Sequence, residues 1–256
     1  MNNPIAGVTD RVVLISGASS GLGAHFARVL ADAGAVVVLA ARRGDKLENV
    51  AASIRATGGQ AFCVTLDVTD EKSVAAALQE VQEQVGLVTI LINNAGMAES
   101  KTFLKLDEGS WGRTLDVNLQ GAWRVAHQVS KMLVAAKQPG VVVNIASILG
   151  LRVGFGNSAY AVSKAGLIQM TKAMALELGP RGIRVNALCP GYIATDINAD
   201  YFATPEGAEY IRSTPAGRTG KLSELDGPLL LLCGDAGSFI NGVALPVDGG
   251  HLVSSL

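Results

Sequence analysis

Seven short runs of aliphatic and β-branched residues punctuate the chain, at 12–16, 36–40, 62–66, 88–92, 141–146, 184–188 and 243–247. They read as continuously apolar rather than alternating, the mark of strands covered on both faces. Between them lie stretches with helical spacing, at 21–33, 45–56, 71–85, 110–137 and 158–178. Strands alternating with helices join through right-handed crossovers. The pattern therefore predicts an α/β fold of the Rossmann-type, doubly wound kind: a mostly parallel seven-stranded sheet with helices on both faces. No Pro/Ser-rich linker or shift in composition divides 1–256, which reads as one domain. The segment at about 193–220 breaks the alternation. With Pro205, Pro215, Tyr201, Phe202 and Tyr210, it is expected to form a partly helical flap over a substrate.

A net charge of −1 lacks the basic footprint of a nucleic-acid binder and the polybasic cluster of a membrane anchor. No apolar run reaches the roughly 18 residues of a membrane helix, and the first ten residues are not those of a secretory signal. Cys63, Cys189 and Cys233, like His25, His127 and His251, are scattered. They offer no metal-ligand spacing, so no metal is expected, and the chain reads as cytoplasmic. The unusual component is glycine, 30 of 256 residues against roughly 7% in ordinary proteins.

Part of that excess sits in one turn. Straight after the first strand come Ser16, Gly17, Ala18, Ser19, Ser20, Gly21, Leu22 and Gly23, opening the first helix. Glycines there permit a tight turn and bring backbone N–H groups and a helix N-terminus to a pyrophosphate. At the end of the second strand, Ala41 stands where an NAD site would place an acid, and Arg42 and Arg43 follow. A guanidinium fork suits a 2′-phosphate, so the cofactor reads as NADP(H) rather than NAD(H). The plainer use of both arginines is as solvated residues before a helix.

Tyr160 and Lys164 share one face of a predicted helix, and Ser147 ends a predicted strand upstream. Reducing a ketone needs a hydride and a proton for the developing alkoxide. Tyr160 is read as the proton donor, Lys164 as the cation that lowers its pKa, and Ser147 as the group that orients the substrate oxygen. Each has an ordinary alternative: Ser147 capping a turn, Tyr160 as core.

The glycine turn, Asp67, Asn93-Asn94-Ala95-Gly96, Asn118, Ser147, Tyr160/Lys164 and Pro190-Gly191 stand in an order that resembles the short-chain dehydrogenase/reductase family over nearly the whole chain. The resemblance implies that Asn118 supports a water relaying protons from Lys164, and that Lys164 grips the nicotinamide ribose. It further implies that Asp67 and Val68 meet the adenine and that Asn94, Ala95 and Gly96 approach the adenosine ribose. Pro190, Gly191, Ile193 and Thr195 would frame the nicotinamide amide, and the assembly would be a homotetramer. Asp67 could instead cap the following helix.

The substrate wall is expected from Ser147, Leu149, Val153, Tyr160, Tyr192 and Tyr201, an apolar and aromatic set suited to a hydrophobic ketone or ketoester. The alternative is a 3-oxoacyl thioester on acyl carrier protein, for which Arg124, Lys131 and Arg181 are the basic candidates. A cofactor-binding sensor or scaffold is the non-enzyme alternative, and the intact Ser/Tyr/Lys set speaks against it.

Overall fold

A computed structural model of the chain describes residues 7–194 and 204–253. Seven strands, β1 (Val12–Ser16), β2 (Val36–Ala41), β3 (Gln60–Thr65), β4 (Ile90–Asn93), β5 (Gly140–Ile145), β6 (Ile183–Pro190) and β7 (Ala244–Val247), form one sheet. Their order is β3-β2-β1-β4-β5-β6-β7, and every pairing is parallel. Because β1 lies between β2 and β4, the chain reverses its progress across the sheet there. A crevice opens at the carboxyl ends of those strands.

The helices are α1 (Gly21–Asp32), α2 (Gly44–Ala56), α3 (Glu71–Gln84), α4 (Glu108–Leu115), α5 (Ala122–Ala136), α6 (Ser158–Leu178), α7 (Pro205–Arg212) and α8 (Asp226–Cys233). Alternate strand residues serve opposite layers. Val13, Ile15, Val37 and Leu39 pack with Phe26 and Leu30 of α1 and Leu229 and Leu232 of α8. Leu14, Val38 and Ala40 face Leu78 of α3 and Val129 and Leu133 of α5. Each fully buried side chain of this size contributes about 1.5–3 kcal/mol, so an apolar residue is favoured along the inner strands, whereas the edge strand β3 alternates exposed and buried positions. No helix among the described residues is long and apolar enough to cross a membrane.

Three departures from the sequence pattern have local causes. β3 starts at Gln60 because Gly58 takes φ +88° and turns the chain, and Gln60 already pairs with Val36. The single helix expected over 110–137 is divided: α4 ends at Leu115, a π-helical stretch occupies Asp116–Gly121, and α5 follows. α8 was hidden by its leucine run, which has no polar stripe because Leu229, Leu232 and Cys233 are buried against the sheet. His25 of α1 and Asp226 of α8 meet at 2.6 Å and tie these helices together. α7 lies within the expected flap, whereas Thr195 and Tyr201 fall outside the described residues.

Candidate active site

The glycine turn is pinned to the end of β4. The Ser16 hydroxyl accepts from the backbone N–H groups of Asn94 and Ala95, at 3.0 Å each. Asn94 Nδ2 donates back to the carbonyls of Ser16 (3.0 Å) and Gly17 (3.2 Å). Gly17 has φ +68°, and a Cβ there would lie 2.8 Å from Ala95 Cα. A Cβ on Gly23 would press on the Gly17 carbonyl and lie 2.5 Å from Asn94 Nδ2. Gly23 thus serves close packing. Gly21 differs, with φ +54° and no atom within 4 Å of its would-be Cβ. Beside it the α1 N-terminus has neither a side-chain cap nor an acidic residue in its first turn, leaving N–H groups and positive dipole for an anion.

That helix end opens into a cleft of about 430 Å³. Ser19, Ser20, Leu22, Ala41, Arg42 and Arg43 line it. Both arginines are exposed, and the Arg43 guanidinium donates to Ser19 Oγ at 3.0 Å. Asp67 and Val68 line the next side. Asp67 Oδ1 accepts from Thr69 N (2.9 Å) and Oγ1 (2.7 Å). These bonds hold its carboxyl below the ordinary range, with a weaker pull from Arg42. Asp70, not Asp67, caps α3. Asn94, Ala95 and Gly96 form the opposite wall, and Tyr160 and Lys164 close the inner end.

Ser147 lies just past β5, 8% exposed. Its hydroxyl accepts from Leu149 N at 3.1 Å, capping a short turn. The turn presses on α6 closely enough that a Cβ on Gly150 would sit 2.7 Å from the Lys164 carbonyl carbon. Lys164, 4% exposed, donates from Nζ to the Ile145 carbonyl at 2.7 Å and lies 5.6 Å from the Tyr160 ring centroid. Asn118, fully buried, sits in the π-helical stretch. Its Oδ1 accepts from Met97 N (2.8 Å), and its Nδ2 donates to Met97 O (2.9 Å) and Ser163 Oγ (3.0 Å). Ser163 in turn donates to the Tyr160 carbonyl at 2.7 Å.

Burial raises the Tyr160 phenol above its usual value, and the Ser147 side chain opposes that shift. Burial also lowers Lys164 to about 8, and its ammonium is directed at the Ile145 carbonyl.

Pro190 ends β6 and Gly191 donates to the Val247 carbonyl at 3.0 Å. A Cβ on Gly191 would lie 2.8 Å from Asp248 Cα. The Ile193 side chain is turned into the core, 5% exposed. Leu149 is half-buried, whereas Val153 and Phe155 are exposed at the rim. Tyr192 packs against Tyr210 and His251. The residue pattern did not single out Met97, Ser163 or His251. Ser163 had only its place between Tyr160 and Lys164, and the other two carried no spacing signal at all.

An open glycine turn, an uncapped helix end and flanking arginines fit an anionic dinucleotide, and they stand at the crevice of a Rossmann-type doubly wound sheet. A family model described as enoyl-(acyl carrier protein) reductase matches residues 17–251. The chain is 38% identical to cis-4-hydroxycyclohexanecarboxylate dehydrogenase of Sinomonas cyclohexanicum, over 94% of this chain and 96% of the relative. It is 33% identical to the 3-oxoacyl-(acyl-carrier-protein) reductase FabG of Pseudomonas aeruginosa, over 95% and 98%. A solved gluconate 5-dehydrogenase from Burkholderia cenocepacia, in complex with NADP and tartrate, superposes with a TM-score of 0.93 at 33% identity, covering 98% and 99% of the two chains. The protein belongs to the short-chain dehydrogenase/reductase family.

Proposed function

We propose that the protein is an NADP(H)-dependent oxidoreductase that interconverts a ketone, preferably a hydrophobic ketone or ketoester, and its secondary alcohol. The observation that carries this reading is Tyr160 and a buried Lys164, one helical turn apart on α6, lining the cleft that the glycine turn opens into. Gly17, Ser19, Ser20, Gly21 and Leu22 would hold the pyrophosphate, Arg42 and Arg43 the 2′-phosphate, and Asp67 and Val68 the adenine. Asn94, Ala95 and Gly96 would contact the adenosine ribose, and Pro190, Gly191, Ile193 and Thr195 the amide end. When bound, the cofactor supplies or accepts a hydride at the carbonyl carbon. Ser147 holds the substrate oxygen by a hydrogen bond, and Tyr160 donates its proton to that oxygen in reduction and takes it back in oxidation. Lys164 stabilises the phenolate left behind and binds the ribose, and Asn118 steadies the Met97 segment and Ser163 behind it. A structured NADP complex of a relative supports the cofactor.

Monitoring NADPH oxidation with a panel of ketones and ketoesters tests the reading. Tyr160→Phe should lower kcat about 10²–10⁴-fold, and full activity in that variant refutes the proton donor. The second reading, 3-oxoacyl carrier-protein reduction, is supported by the FabG relative. Its basic patch is reduced to Lys131 and Arg181, because Arg124 is engaged with Asp116 (2.8 Å) and the Val68 carbonyl. Exposed Trp123, Val162 and Leu176 on α5 and α6 suit a homotetramer, which light scattering tests.

A further inference from the structure

Four segments around the proposed substrate side meet at one histidine. His251, 7% exposed, follows β7 in a short helical turn. Its Nε2 and the Tyr210 hydroxyl of α7 are hydrogen bonded at 3.0 Å. The Tyr192 ring, two residues past the end of β6, lies 5.4 Å from the imidazole and 5.7 Å from the Tyr210 ring. Arg152, in the loop leaving Ser147, donates to the His251 carbonyl at 3.1 Å. The approach to His251 is equally close: a Cβ on Gly249 would lie 2.7 Å from Ala216 Cβ, and one on Gly250 3.2 Å from Pro215 Cβ. The turn after β7 is therefore pressed against the exit of α7.

α7 has eight residues, too few to hold helical structure without tertiary support. Its local ties include the Thr204 cap on Gly207 N (3.1 Å), the Ser213 and Thr214 hydroxyls donating to the Tyr210 and Ile211 carbonyls (2.7 Å each), and an exposed Glu209–Arg212 pair. An exposed ion pair holds little. The Tyr210–His251 contact joins this helix to the β6 end, the C-terminal turn and the Ser147 loop together.

We propose that His251 is a positioning residue that docks α7, through Tyr210, against the end of β6 and the loop that leaves Ser147, and so sets the affinity for substrate rather than for cofactor. The proposal rests on the ketone-reductase reading for its kinetic consequence but not for the docking itself. The test compares Tyr210→Phe, His251→Phe and the double variant with wild type, all as full chains. Each variant keeps an aromatic ring and removes the hydrogen bond. Ethyl 3-oxobutanoate and NADPH serve for kinetics, fluorescence titration gives NADPH affinity, and trypsin cleavage after Arg212 is followed without cofactor.

Each single variant should raise KM so that kcat/KM falls about tenfold, leave NADPH affinity unchanged and speed cleavage. The double variant should be no worse than the worse single one. Additive losses overturn the proposal, as does an equal loss of NADPH affinity or cleavage at the wild-type rate. Tyr210 is 38% exposed, so Tyr210→Phe leaves the core intact even if His251→Phe does not fold. Should wild type reduce no ketone, the reductase reading fails alone. The trypsin comparison then still decides the docking.

Discussion

Gly21 and Gly23 sit two residues apart, yet alanine at each should fail in a different way. At Gly23 the new Cβ meets the Gly17 carbonyl and Asn94 Nδ2, and both are parts of a pinned turn that cannot yield separately. Overpacking of this kind costs about 1–3 kcal/mol. Displacing Asn94 Nδ2 breaks its bonds to Ser16 and Gly17, about 2 kcal/mol together. Alanine recovers about 1 kcal/mol over glycine within a helix. The net is about 2–4 kcal/mol, which for a chain of this size lowers Tm by roughly 5–15 °C. At Gly21 nothing is struck, and the left-handed φ of +54° costs an alanine about 1 kcal/mol, or about 2–4 °C. Its methyl would instead stand in the cleft where phosphates are proposed to lie, weakening NADPH binding about tenfold or more. Thermal unfolding and NADPH titration of both variants separate these effects. If Gly23→Ala melts within 2–4 °C of wild type, or above Gly21→Ala, the packing argument is wrong.

Other outcomes follow from the same geometry. Lys164 titrates near 8 when folded against an ordinary 10.5, so between those values the unfolded chain binds more protons and stability should rise with pH. The penalty of the buried ammonium is fully present below about 8. Lys164→Met should flatten that rise in Tm-against-pH curves, and an unchanged slope assigns it to another group. Arg43→Ala should weaken NADPH binding about tenfold and leave NADH binding unchanged in parallel titrations; equal losses would mean that Arg43 does not contact the 2′-phosphate. Burial pushes the thiol of Cys63 up to about 11 and those of Cys189 and Cys233 to about 12. A colorimetric disulfide reagent at neutral pH should therefore label the chain only after denaturation, and rapid native labelling would contradict the packing around them.

The sheet was legible in the sequence because its inner strands are covered on both faces, which leaves uninterrupted apolar runs such as 12–16 and 141–146. The cleft was legible because backbone clearance demands glycine, and Gly17 and Gly21 sit at left-handed φ on its floor. What the sequence hid was tertiary. α8 has no amphipathic stripe because it is buried. The bonds among Asn118, Met97 and Ser163 join residues far apart in the chain and follow no spacing rule. The degree of burial around Tyr160 and Lys164, which raises the phenol and lowers the ammonium, was also out of reach, since residue type does not report it.

The π-helical stretch at Asp116–Gly121 acts as a phase shifter. One residue beyond α-helical winding turns everything downstream by about 100° around the axis, so α4 and α5 answer to different neighbours although they are nearly collinear in sequence. Deleting a single residue there would restore regular winding and still be harmful. It would swing either Asn118 away from Met97 or Val125, Val129 and Leu133 away from the sheet. Length, as much as the amide of Asn118, is what this stretch cannot give up.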